Sequence, residues 1–234
     1  MHRFLLLAVC FLFFSCAKSN DKNWQNLFNG ENFDGWHVYG GAEGYDGWKV
    51  ADGELQFDFR DKKGAESSSL VTDSLYTNFE LSIEWKISKQ GNSGVFWGVV
   101  EDSIYKHPYQ TGPEIQILDD QWTTYIEARG DITRAGAIFN LMAPKKIVAK
   151  PADEWNTFLL HIDHSRNYGS LHFNGSEVLR FKVNGDAWHE QIANSPFADW
   201  PGFGKAQTGR ISLQDHGGQV AFRNIKIRRL PSES

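Results

Sequence analysis

The chain has 234 residues, 41% of them hydrophobic and 23% charged, with a net charge of −5. That length supports one sizeable core, and the acidic balance without any basic stripe excludes a nucleic-acid binder, whose phosphate contacts need clustered Lys and Arg. Both cysteines, Cys10 and Cys16, fall within the first sixteen residues, so the remainder has no disulfide, thiolate metal site or thiol nucleophile.

In chain order, the first element is a targeting segment. Residues 1–3 are positively charged and residues 4–14 form an apolar run of eleven, too short for a permanent bilayer span. The run ends at Phe14-Ser15-Cys16-Ala17, which looks like a bacterial lipobox cut before Cys16, although Phe stands where Leu is usual. The other reading is an ordinary cleaved signal peptide with an incidental cysteine. The expected organisation is a signal peptide over 1–15, a lipidated Cys16 with a polar tether over 16–24, and a single domain over 25–231. Such a protein sits in the bacterial cell envelope, periplasmic or surface-exposed, and touches the membrane through its lipid only.

The next elements are strands. Residues 79–87 give the clearest two-residue period: Phe79, Leu81, Ile83, Trp85 and Ile87 share one face, and Glu80, Ser82, Glu84 and Lys86 the other. Further strands are expected over 48–50, 54–59, 93–99, 114–118, 135–141, 157–162, 170–173, 178–183, 210–214 and 219–227. The last changes phase between Phe222 and Ile225, which predicts a bulge near Arg223-Asn224. Asn174-Gly175 between two runs predicts a tight hairpin. Residues 186–192 are the best helix, with Asp186 as a possible N-cap. Aromatics are plentiful, with nine Trp, seven Tyr and seventeen Phe. Ten or more short strands without βαβ alternation indicate an all-β sandwich or jelly roll with one or two short helices in its loops.

Several segments, in order, resemble the 3-keto-disaccharide hydrolase family. They are Leu27-Phe28-Asn29-Gly30 with Gly35-Trp36; Asn78-Phe79-Glu80-Leu81 with Glu84-Trp85; Gly91-Asn92-Ser93-Gly94-Val95-Phe96; and Gly112-Pro113-Glu114 through Asp120. Trp155-Asn156, Asn174-Gly175, Gly209 through Gly217 and Phe222-Arg223-Asn224-Ile225 complete the set, which runs from about Asn26 to Leu230. The resemblance implies a concanavalin/LamG-like jelly-roll β-sandwich with a sugar-binding face. It also implies action on glycosides whose C3 hydroxyl has been oxidised to a ketone. Many members carry Arg where this chain has Gly98.

A C3 ketone acidifies the proton on C2. A base that removes it lets the C1 glycosidic oxygen leave by β-elimination, and water can then add. The route needs one base, an acid near the leaving oxygen and donors to the enolate oxygen, rather than the paired carboxylates of ordinary glycosidases. Glu114-x-Gln116 on a strand projects a carboxylate and a carboxamide from one face, with Ile115 and Ile117 turned to the core. Glu84 is a second candidate carboxylate and His216 a candidate acid or metal ligand. Gln116, Asn92, Trp97, Gln214, Trp200 and Asp119 are candidate substrate contacts. Trp36, Trp122 and Trp188 join Trp97 and Trp200 as possible stacking platforms, and the aromatic stretch 186–205 as a cavity wall or a cover over a sheet edge.

Asp119 and Asp120 either make a turn or bind a divalent cation, and no other cofactor is called for. His161 and Asp163 share a strand face and His164 does not, a poor metal geometry. No nucleophile elbow, P-loop or dinucleotide fingerprint occurs, so a separate glycoside 3-dehydrogenase would have to make any ketone. The expected activity is cleavage of 3-keto-glycosides. The alternatives are a non-catalytic carbohydrate-binding lipoprotein and a conventional jelly-roll glycosidase. The last is disfavoured by Glu114-x-Gln116-x-Leu118, which lacks the second carboxylate.

Overall fold

The computed structural model describes residues 23–231. The leader, Cys10, Cys16 and most of the tether therefore lie outside the described residues. The elements are β1 (Gln25–Asn26), β2 (Trp36–Val38), β3 (Trp48–Ala51), β4 (Glu54–Asp58), β5 (Leu70–Thr72), β6 (Phe79–Ile87), β7 (Asn92–Val99) and β8 (Glu114–Leu118). Then come α1 (Thr123–Arg129), β9 (Asn156–Asp163), β10 (Tyr168–Phe173), β11 (Ser176–Phe181), α2 (Gly185–Ala193), β12 (Arg210–Leu213) and β13 (Gln219–Arg229).

The strands form two antiparallel sheets. The larger runs β11-β10-β9-β6-β13-β4-β3 with β1 beside β13, and the smaller runs β2-β5-β12-β7-β8. The chain passes back and forth between sheets, which makes the molecule a jelly-roll β-sandwich. Period-two patterning explains why two layers form: each strand has one apolar face, and burying both faces against each other removes them from water. Leu81, Ile83, Trp85 and Ile87 of β6 share one core with Val95 and Trp97 of β7, Ile115 and Ile117 of β8, and Ile211 and Leu213 of β12. Each such side chain, fully buried, contributes roughly 1.5–3 kcal/mol.

Strand 79–87 stands as expected, and the change of phase near Arg223 is a register shift between Arg223 and Lys226, with Asn224 in the left-handed region at φ 50°. Asn174 (φ 48°) and Gly175 (φ 81°) make the predicted tight hairpin between β10 and β11. Three short strands, β1, β2 and β5, carry no readable alternation because they span only two or three residues. Helix α2 matches the expected 186–192 helix, but its N-cap is Asn184 and Asp186 lies in the first turn.

The expected strand at 135–141 is corrected. Gly136 adopts φ 80° and the chain folds back on itself, with Ile138 N–H donating to Met142 O (3.0 Å). The segment still seals the edge of β8, through Gly136 N–H to Gln116 O (2.8 Å) and Phe139 N–H to Glu114 O (3.0 Å). It thus satisfies the groups an edge strand leaves open. Helix α1 was not anticipated, being only seven residues long.

Because Ile117 is fully buried in β8 and anchors that strand to the larger sheet, Ile117→Ala is expected to cost about 2–5 kcal/mol in chemical denaturation. A loss below about 1 kcal/mol would contradict the stated facing of β8.

Candidate functional site

The outer face of the smaller sheet holds the site. Ile115 and Ile117 point into the core, so the alternation of β8 turns Glu114 and Gln116 outward. They form the floor of a cavity of about 600 Å³ together with Asn92 and Phe96 of β7. Just beyond β12, Gln214 and His216 complete its polar lining.

Two aromatic walls stand over this floor. One comes from the loop after α2, where the rings of Phe197 and Phe203 stack at 4.1 Å. Trp200 packs edge-on against Phe197 (5.1 Å) and tilts toward Tyr109 (5.7 Å). The other wall is formed by Trp122 and Tyr125 (4.8 Å apart), Phe139, and Arg129, whose guanidinium lies 4.2 Å over the Tyr125 ring. Trp122, Tyr125 and Arg129 recur at three- and four-residue spacing, which puts them on one side of α1. Tyr109, Tyr125, Arg129 and Phe139 were not singled out from sequence. The Trp122-x-x-Tyr125 spacing was the signal available.

Glu114 is 8% exposed and is the one carboxylate among the described residues lining the cavity. Burial pushes its pKa up to about 8, with no neighbouring cation to oppose that shift. Gly94 makes room for it: a Cβ there would lie 2.1 Å from Glu114 Oε1. His216 stands at the rim, open to solvent on one side. Crowding by the protein lowers its pKa below the usual imidazole value, against the opposing pull of Asp215. Asp215 itself is a fastening. Its carboxylate accepts from Ser67 Oγ (2.9 Å), Ser68 N–H (2.7 Å) and the Ser69 hydroxyl, and pairs with Lys62 (3.4 Å). The turn carrying Gln214 and His216 is thereby pinned to the neighbouring 67–69 segment. Gln214 N–H donates to Gly94 O (3.0 Å), and its Oε1 is buried without a partner.

Of the sequence candidates, Glu114, Gln116, Asn92, Gln214, His216 and Trp200 come together here. Three do not. Glu84 is corrected: it lies on the outer face of the other sheet, where Arg223 Nε (2.7 Å) and Asn224 Nδ2 (3.0 Å) engage its carboxylate. Trp97 is corrected because it points into the core, 3% exposed, against Phe181. Trp36 and Trp188 are buried likewise. Asp119 is corrected to a turn residue whose two oxygens accept Gln90 N–H (2.9 Å) and Gln121 N–H (3.1 Å). Asp120 accepts Ala135 N–H (3.0 Å) and stands near Arg134 (3.8 Å), while burial raises its pKa.

His161 pairs with Glu80 (3.1 Å) away from the cavity. Among the described residues, no group of three or more His, Cys, Asp or Glu side chains is placed to hold a metal ion. Gly98 has φ 63°, and a Cβ there would meet Ala206 O at 3.0 Å. The backbone of 206–209 occupies the space into which a side chain would begin.

A jelly-roll sandwich with an aromatic-walled cavity floored by amide and carboxyl side chains on its outer face belongs with the glycosyl hydrolase-like proteins. The sequence matches the 3-keto-alpha-glucoside-1,2-lyase-like domain over residues 23–228, and the chain belongs to that family. It is 28% identical to a 3-keto-disaccharide hydrolase of Bacteroides thetaiotaomicron over 224 residues, covering 86% of this chain and 77% of the relative. A crystal structure from Parabacteroides distasonis assigned as a glycosyl hydrolase superposes with a TM-score of 0.81 at 32% identity, covering 90% of this chain and 95% of the other. A second from the same organism gives a TM-score of 0.64 at 26% identity, with 88% and 99% covered.

The raised pKa of Glu114 makes a stability prediction. An unfolded-state glutamate releases its proton near 4.5, whereas the folded group holds it to about 8. The native state therefore binds more protons in that window, and stability is lost as pH rises through it. Glu114→Gln removes the titration, so the melting temperature of wild type relative to the variant should fall between pH 5 and pH 8. The expected slope is about 2–4 °C for each kcal/mol. A difference independent of pH would contradict the burial of this carboxyl.

Proposed function

We propose that this protein is an extracytoplasmic enzyme that cleaves 3-keto-glycosides by deprotonation at C2 and elimination at C1. The reading rests on one observation: the described cavity lining presents a single carboxylate, and that carboxylate is desolvated. A conventional glycosidase needs two carboxyl groups about 5–10 Å apart. Proton abstraction beside a ketone needs one good base, and desolvation makes a carboxylate a stronger one.

In this scheme the ionised Glu114 takes the C2 proton, and the C2–H electrons become the enolate π bond. The enolate collapses to the enone as the C1–O bond breaks, and the departing oxygen takes up a proton from solvent, while Glu114 keeps the proton from C2 until water adds. Water added across the enone gives net hydrolysis. His216, whose neutral form is favoured by burial, offers a ring N–H to the leaving oxygen. The unpartnered Gln214 Oε1 accepts from a sugar hydroxyl, since a buried acceptor without a donor is costly until something fills it. Trp200 and Tyr109 pack on the sugar or its aglycone.

The ketone has to be supplied by an oxidoreductase acting on C3. The expected leader and Cys16 lipidation would hold the domain in the cell envelope, where glycosides arrive.

Incubating the purified domain with a glucoside and with its 3-keto derivative tests the reading. Aglycone release is expected from the keto form alone, rising with pH toward about 8, and Glu114→Gln should lower kcat by about 10²-fold or more. Cleavage of the unmodified glucoside, or binding of the keto form without turnover, would contradict it.

A further inference from the structure

The seat of Glu114 carries an inference that rests on the proposed reading and goes beyond it. Gly94 and Gln116, neither of which ionises, flank the Glu114 carboxyl. Gly94 lies beneath, where any side chain would evict the carboxyl, since a Cβ there would sit 2.7 Å from its carboxyl carbon as well as 2.1 Å from Oε1. Gly94 shows no positive φ, so its lack of a side chain is not explained by backbone conformation. It is explained by the carboxyl that fills its place.

Gln116 stands beside the carboxyl, two residues along the same strand face. Gln116 is 1% exposed, so its amide has to find partners within the protein. With Nε2 turned toward Glu114 and Ser93, the amide donates to Glu114 Oε1 (2.9 Å) and to Ser93 O (3.3 Å), and the Asn92 amide turns with it, because the Asn92 atom 3.2 Å away is otherwise Oδ1, which accepts from Gln116 Nε2 in the opposite orientation. The opposite orientation gives Nε2 to Asn92 Oδ1 (3.2 Å) but turns the amide oxygen to Ser93 O and, once Glu114 is ionised, to a second acceptor. Ser93 pairs with Ile117 in the β7–β8 ladder, which keeps its carbonyl in place, and that carbonyl favours the amide orientation that donates to Glu114. One N–H is thus aimed at a carboxylate that has no cation beside it.

We propose that Gln116 is a positioning residue rather than a substrate contact: with Gly94 it forms a neutral seat that aims the Glu114 carboxyl into the cavity and sustains its ionised form. A neutral seat has a chemical advantage over an Arg or Lys partner. A cation would stabilise the carboxylate so strongly that it ceased to be a base, whereas an amide donor keeps it ionisable near neutrality and still basic. The groups facing Glu114 from the packed elements agree with this. Phe96 and Gly94 come from β7, Gln116 from its own strand, Asn92 from the start of β7, and Tyr125 from α1. Arg129 lies over that phenol's ring and is the one Lys or Arg among the described residues lining the cavity.

The test uses the full mature protein and two variants, Gln116→Met and Gly94→Ala, with two readouts. The first is the Glu114 carboxyl titration in the absence of substrate, followed by carbon-13 NMR or difference infrared spectroscopy with Glu114→Gln to assign the signal. The second is the pH profile of kcat/KM on a 3-keto-glucoside. Removing a hydrogen bond to a charged acceptor should move the Glu114 midpoint upward by about one to two pH units in Gln116→Met. The ascending limb of activity should move with it, and KM should stay within about twofold.

Gly94→Ala should keep its melting temperature and lose at least tenfold in kcat, because the carboxyl is displaced from its seat. A rise in KM with the titration unmoved would make Gln116 a substrate contact and overturn the proposal. An unmoved titration in a folded Gln116→Met protein would overturn it without reference to any substrate. A shifted titration in a protein that turns over no 3-keto-glycoside would uphold the seat and refute the reaction. Should Gln116→Met not fold, Gly94→Ala with the same titration decides, since a displaced carboxyl would titrate closer to the ordinary range.

Discussion

A carboxylate taken out of water without a cation is the constraint around which this molecule is arranged. Moving Glu114 to the floor of a cavity raises its pKa to about 8 and makes the native state pay in stability as pH rises. The rest of the fold allows this to happen. The core shared by β6, β7, β8 and β12 fixes Ile115 and Ile117 inward, and that leaves Glu114 and Gln116 no other direction. A stable sandwich can carry one unfavourable group at a functional site.

Sandwich architecture also explains why the site lies outside the sandwich rather than between its sheets. The interior is filled by large side chains such as Trp85, Phe158 and Phe173, whose rings contact one another at 4.7–5.7 Å. A ligand has to bind against an outer sheet face, and an outer face of a sheet is open. The loops therefore supply depth: the aromatic loop after α2 on one side, and α1 with the folded-back 136–142 segment on the other. Those loops are held by backbone-directed carboxylates, Asp119 and Asp120, and by the Asp215 cluster at the end of β12. Asp119 and Asp120, for which the sequence leaves a turn or a cation site open, act as turn fasteners.

Much of the fold was legible because alternation reports facing directly. Strand 79–87, the Asn174-Gly175 hairpin and the Arg223 bulge all follow from side-chain period and turn chemistry. The misses have physical causes. Strands of two or three residues contain no period to detect, and the 135–141 run has a strand's composition but a left-handed Gly136 that breaks it. For the site, the alternation of β8 placed Glu114 and Gln116 correctly. Strand-level reasoning could not say which sheet a strand joins, so Glu84 looked equivalent to Glu114 until β6 proved to lie in the other layer. Nor could it separate a buried Trp97 from an open Trp200. The partners that decide the matter, Phe181 for one and Tyr109 for the other, are distant in sequence.

Removal of the C2 proton is the step that separates this account from ordinary glycoside hydrolysis, and the hydrogen itself can be followed. Turnover of a 3-keto-glucoside in deuterated water, with mass spectrometry and NMR of substrate and product, measures it directly. The account predicts deuterium at C2 in wild type, and neither exchange nor cleavage in Glu114→Gln. Cleavage of the C1–O bond with the original C2 hydrogen fully retained would contradict it.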